Sequence, residues 1–217
     1  MELINKSFRD CTLTFMDKVF KMRQLPTVSV LGDWLNAPND ISDFERQILL
    51  RYQDLLTFNV HNWNEAELDV HFIGPMFSLV NFSSYDFNHF SQREVSGTVD
   101  KYFLSGKPDS MVASGRREPE KPFFAFQEYK RELDPDGDPA GQALAAMLVG
   151  QQMEEVPKTM YGCYVVGSVW KFMALNTDRK YAISQDFSAT DEDIFEIFRI
   201  LKNLKNIVIE RTLSKNL

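Results

Sequence analysis

Cysteine is nearly absent from this chain: Cys11 and Cys163 are the only two in 217 residues. They stand far apart and match no metal-binding or redox spacing, which excludes a disulfide framework and a zinc ribbon. Both read as reduced thiols of a reducing, cytoplasmic compartment. Histidine is scarce as well. His61, His71 and His89 share no metal-ligand spacing and read as structural or exposed residues. Positive charge is in deficit, since 24 Lys and Arg face 31 Asp and Glu, for a net charge of -7. That balance argues against tight nonspecific nucleic-acid binding but leaves room for a local basic patch beside an acidic metal site. No apolar run approaches the ~20 residues that span a bilayer, so no membrane partner is expected. The opening residues Met1-Glu2-Leu3-Ile4-Asn5-Lys6 lack the basic-then-apolar pattern of a signal peptide. There is no internal repeat and no low-complexity tract.

Phenylalanine, by contrast, is plentiful. The chain holds 18 in a composition that is 44% hydrophobic, enough for a sizeable core in one domain with an extension. Residues 1–60 read as an N-terminal helical extension. Its clearest helix opens on the capping box Ser42-Asp43-Phe44-Glu45 and carries Phe44, Ile48, Leu49, Tyr52, Leu55 and Leu56 as one apolar stripe. A second helical segment, about 64–80, should be kinked or split at Gly74-Pro75. From Glu94 the period turns towards two, with strands near 95–104, 109–113 and 123–130. Asp138 suits an N-cap and Pro139 a first helical residue, and the helix from Ala140 to about Met153 is apolar nearly all round, hence buried. Strands follow at 161–166 and 169–175, with an edge strand near 180–184. A last amphipathic helix, capped by Thr190-Asp191-Glu192-Asp193, completes an α/β order, an α+β arrangement around a mixed sheet.

The chemistry concentrates in the middle of the chain. Phe123-Phe124-Ala125-Phe126-Gln127-Glu128-Tyr129-Lys130 reads as a strand on which Phe124, Phe126, Glu128 and Lys130 share one face. Pro108-Asp109 precedes the neighbouring strand. If those strands adjoin, two carboxylates and an ammonium converge. Mg²⁺ (or Mn²⁺) takes hard oxygen ligands, keeps several waters and needs only one or two carboxylates. Asp109 and Glu128 suit that role, and Lys130 can orient or deprotonate a water. Plainer roles exist for each. Asp109 can start a strand after the Gly106-Lys107-Pro108 turn, and Glu128 and Lys130 can form a surface ion pair worth ~0–1 kcal/mol. The cations Arg116, Arg117, Lys121 and Arg131 can be loop solvation. Pro135-Asp136 with Asp178-Arg179-Lys180 repeats the letters of the motif but lies in turn-like polar stretches.

Pro108-Asp109 and Glu128-Tyr129-Lys130 resemble the motif of the PD-(D/E)XK nuclease superfamily. The resemblance implies a restriction-endonuclease-like αβββαβ core at about 64–175, inside a domain of 61–217 ending in a C-terminal helix. It implies metal-dependent hydrolysis of nucleic-acid phosphodiesters, DNA before RNA, with Asp109 and Glu128 on the metal and Lys130 on the water. Asn64-Glu65-Ala66, followed by Phe72-Ile73-Gly74-Pro75, looks like the acidic helix ahead of the core in type I restriction subunits, which would add Glu65 to the metal. Gln142 falls where several nucleases of this superfamily place a catalytic glutamine. Glu65 shares a helical face with Leu68 and Phe72, and Gln142 opens a buried helix, so both also raise ordinary questions of hydrogen bonding. Relatives with this core often act as dimers, and the helical N-terminus could serve a homodimer. Two other readings stand beside the nuclease. One is a catalytically silent nuclease-fold interaction module of a defence or mobile-element system; the other is a small-molecule phosphohydrolase.

Overall fold

The computed structural model describes residues 3–130 and 137–213, with 122–130 described by the backbone alone. The described residues form a mixed α/β structure with two sheets. The smaller sheet orders β1 (Ile4–Ser7), β5 (Tyr102–Gly106) and β4 (Val95–Val99). The larger runs β2 (Arg23–Gln24), β10 (Lys180–Ile183), β9 (Val169–Leu175), β8 (Met160–Val166), β7 (Pro122–Lys130), β6 (Ser110–Ala113) and β3 (Asn88–Ser91), with β11 (Phe187–Ser188) pairing with β9. β7 is an interior strand that pairs antiparallel with β6 and parallel with β8.

Among the described residues, seven α-helices cover the larger sheet. One face packs against α2 (Ser29–Asn36), α3 (Asp43–Asn59), α4 (Glu65–Leu68), α5 (Gly74–Val80) and α7 (Asp193–Leu213), around a core that includes Trp34, Phe72, Phe77, Trp170, Phe172 and Phe198. The other face packs against α1 (Leu13–Phe20) and α6 (Pro139–Gln152), with the smaller sheet behind them. Alternation along β8 sorts its residues between the layers: Tyr161, Cys163 and Val165 join the first core, Met160 and Tyr164 the second. Among the described residues no helix is long and apolar enough to cross a membrane.

α6 follows from its sequence. Asp138 accepts from the Gly141 amide at 2.9 Å, Pro139 opens the helix, and every residue from Ala140 to Gln151 is buried. A helix apolar on all sides has to lie between layers, and this one is held between the large sheet, the small sheet and α1. The segment 65–80 splits as its Gly74-Pro75 pair suggests: α4 passes through a π-helical turn (Asp69–Ile73) into α5.

Three expectations are corrected. Residues 1–60 are not wholly helical, because β1 pairs with β5 and β2 with β10, which fastens this region into both sheets. The strand expected over 95–104 is a hairpin: the chain reverses at Asp100 (φ 52°) and Lys101, and Val99 pairs with Tyr102. A two-residue turn needs such a left-handed position, and Asp tolerates it. That hairpin belongs to the smaller sheet, and β3, which the sequence did not announce, takes the place beside β6. Third, β10 is flanked by β2 and is not an edge strand.

A histidine fastens β3 to β6. His89 Nε2 lies 2.7 Å from Ser110 Oγ, and its ring stacks on Phe77 at 5.1 Å between centroids. Burial pushes the His89 imidazole down to about 4. The unfolded imidazole takes a proton below about 6.5, the folded one only below about 4. Between those values the unfolded chain binds more protons, so acidification favours unfolding. Stability is therefore expected to fall from pH 6.5 to pH 4 by on the order of 2–3 kcal/mol from this residue. Urea titrations of wild type and His89→Gln across that range should differ in slope; parallel curves would remove His89 as the cause.

Candidate active site

The register assembles a row of polar positions across four strands. Ser110 pairs with Gln127, so the residue before Ser110, Asp109, stands at the position opposite Glu128. Glu128 pairs with Tyr164, and Tyr164 with Lys171. Two residues back along the strands, on the same face, the row is Met111, Phe126, Gly162 and Met173. Met111 and Met173 are buried against α6. The sheet therefore passes from an apolar row to a polar one within one pleat repeat, at the C-terminal end of the parallel β7–β8 pair. Lys130, paired with Val166, lies one repeat further on. Asp109 is half-buried, and its carbonyl accepts from the Gln92 amide at 3.1 Å. The side chains of Glu128 and Lys130 lie outside the described residues, as does Asp136 of the second Pro-Asp pair.

Two helix N-termini close over this end of the sheet. The Asp138 carboxylate accepts from Gly141 N at 2.9 Å and from Leu13 N at 2.7 Å, capping α6 and α1 together. This close approach requires glycine at 141, where a Cβ would lie 2.4 Å from the Cys11 carbonyl oxygen. Helix N-termini carry partial positive charge and favour anions. One turn into α6 stands Gln142, 5% exposed, whose Nε2 is buried without a hydrogen-bond partner among the described residues. Gln151, the other buried glutamine of α6, contrasts with it, since its Nε2 donates to the carbonyls of Lys158 (2.7 Å) and Asn176 (3.2 Å). A buried amide donor normally finds a partner, so Gln142 has capacity to donate to something else.

Tyr164 and Lys171 are members of the row that sequence reasoning missed. Burial raises the Tyr164 hydroxyl, aided by Asp138 and Asp186 and opposed by Lys171. Lys171 is raised chiefly by its hydrogen bond to Asp186, an ion pair of 2.8 Å. The available signal was a lysine two positions before Met173 in the apolar run Val169-Trp170-Lys171-Phe172-Met173. Glu65 stands apart from the row. It is exposed at the first residue of α4, within the Asn64–Glu67 capping box, in the helical layer on the opposite face of the sheet. Among the described residues no three His, Cys, Asp or Glu side chains gather into a metal-holding group. Asp178 and Lys180 pair at 2.5 Å in a turn, a surface contact. Cys11 is fully buried, and burial pushes its thiol up to about 11, so it is no nucleophile at neutral pH. No protein-family model matches the chain, and no curated protein is significantly similar to it.

Proposed function

We propose that the chain is a metal-dependent phosphodiesterase acting on nucleic acid, DNA before RNA, with its site on the row Asp109–Glu128–Tyr164. The observation that carries this reading is the change from a buried apolar row to a polar one under the α1 and α6 N-termini. Asp109 and Glu128 stand at neighbouring register positions, and two carboxylates suit Mg²⁺, which retains water in its remaining positions. Mg²⁺ held there would acidify a water and neutralise charge on a phosphate oxygen. Lys130, next along that face, orients the attacking water and takes its proton. The Gln142 amide donates to a non-bridging phosphate oxygen. Glu65 has no role in this arrangement.

Calorimetric titration of Mg²⁺ and Mn²⁺, with and without a short DNA duplex, tests the reading on wild type, Asp109→Ala and Glu128→Ala. The expected result is one binding event in wild type that both variants lose. Absence of binding by folded wild type under both conditions would overturn the enzyme and favour the silent interaction module.

A further inference from the structure

In a chain whose net charge is -7, uncompensated positive charge collects around one arginine. Arg179 donates to the Phe20 carbonyl at 2.8 Å, at the C-terminus of α1, and to Asp100 at 3.2 Å, in the β4–β5 turn. Its own carbonyl accepts from the Arg23 amide of β2 at 3.0 Å. Each tie brings an exposed cation with it: Lys21 follows Phe20, Lys101 follows Asp100, and Arg23 is itself the third. Lys18, exposed on the last turn of α1, is joined to them by Lys21, whose Nζ donates to its carbonyl at 3.1 Å. Left-handed backbone at Lys21 (φ 55°), Asp100 (φ 52°) and Arg179 (φ 62°) sets the three turns. Three carboxylates stand among these cations, and each is engaged: Asp17 by the Tyr181 hydroxyl, Asp100 by Arg179 and Asp178 by Lys180. Lys18, Lys21, Arg23 and Lys101 make no ion pair among the described residues.

We propose that this patch holds the phosphate backbone of a nucleic acid, a few nucleotides away from the bond presented to the polar row. The choice of nucleic acid over other polyanions rests on the reading of that row as a phosphodiesterase site. Position supports the link. α1 begins under the Asp138 cap at the row and ends at the patch. Its eight residues cover about 12 Å. A nucleic-acid strand carries one charge per ~3.4 Å of axis, so about three or four nucleotides span the distance. Contacts to phosphates fix register and orientation but read no bases, so the patch serves any sequence. With only four such cations on an acidic protein, binding is weak and depends strongly on salt.

Fluorescence anisotropy of a labelled DNA strand, alone and as a duplex, tests this on the whole chain over a range of salt concentrations. Chelator is present, so neither metal nor cleavage contributes. Wild type is expected to bind at low salt and to weaken steeply as salt rises. Arg23→Ala with Lys101→Ala should weaken binding by about tenfold and lower the slope of log affinity against log salt by about 2. Lys18→Ala, on an exposed helix surface where alanine is favoured, should lower the slope by about 1 and serves if the double variant fails to fold. Arg116→Ala with Arg117→Ala removes the same charge from the exposed β6–β7 loop and should leave the slope unchanged. Asp109→Asn should bind as wild type does; if it does while wild type shows no cleavage in Mg²⁺, the reading of the row falls and the patch stands. A wild type that binds no DNA at low salt would overturn the patch. So would slopes indifferent to Arg23, Lys101 and Lys18, or equally sensitive to the loop arginines. Binding to phosphatidylserine vesicles and not to DNA, lost in the same variants, would assign the surface to a membrane and overturn it as well.

Discussion

Asp109→Asn is expected to slow metal-dependent cleavage of DNA by on the order of a thousandfold or more. The substitution keeps size and shape and removes one formal negative charge. An amide oxygen is a poorer ligand for a hard divalent cation than a carboxylate. Asp109 precedes β6, and its backbone carbonyl, unaltered by the substitution, holds the Gln92 amide. Thermal unfolding of the variant, measured beside cleavage, separates a loss of chemistry from a loss of fold. Glu128→Gln should act in the same direction. Gln142→Leu should act less, by about tenfold to a hundredfold, because in the proposed site it would remove one donor to a phosphate oxygen and leave the carboxylates intact. Gel-based cleavage of a labelled duplex, in Mg²⁺ and in chelator, reads all three. Full activity of Asp109→Asn would dismiss the site, whatever the fate of the fold.

Asp138→Ala should be the most damaging single change to stability outside the apolar core. An ordinary N-cap contributes ~1 kcal/mol, within a range of about 0.5–2. Asp138 is the acceptor at two helix starts, through Oδ1 to Gly141 and Oδ2 to Leu13. Alanine leaves both amides without this carboxylate in a partly buried place, so the two losses add to about 2–4 kcal/mol. For a chain of this size that is a fall of roughly 5–15 °C in Tm. Asp138→Asn keeps one acceptor oxygen and should recover about half. Thr12→Ala removes only the Thr12 cap on Phe15, bonded at 3.1 Å, and should cost about 1 kcal/mol. Calorimetric melts of the three variants order the effects. Equal losses for Thr12→Ala and Asp138→Ala would show that the carboxylate serves one helix and not two.

Local signals decided much of this structure before any packing was known. Asp138-Pro139 and the unbroken apolar run behind it fixed α6, because a cap, a ring-locked first residue and a helix with no polar face permit little else. Ser42 and Glu45 fixed the start of α3 by bonding each other's amides. The alternation around Glu128 and Lys130 set β7, although what surrounds those two side chains is beyond what a strand pattern contains. Tertiary structure decided the rest. Which strands adjoin is a long-range matter: β3 reaches β6, and Tyr164 and Lys171 join the row with Asp109 and Glu128 only through the pairing of β6, β7, β8 and β9. Hydrophobic period shows that a helix has an apolar side but not how much of it a neighbour covers. On α3 the core takes Leu49 and Leu56 and leaves Phe44, Leu55 and Phe58 outside. Sequence thus determined the elements and their caps, where the interactions are a few residues apart. Folding alone determined the polar row and which part of α3's apolar side stays exposed, because both depend on contacts between residues far apart in the chain.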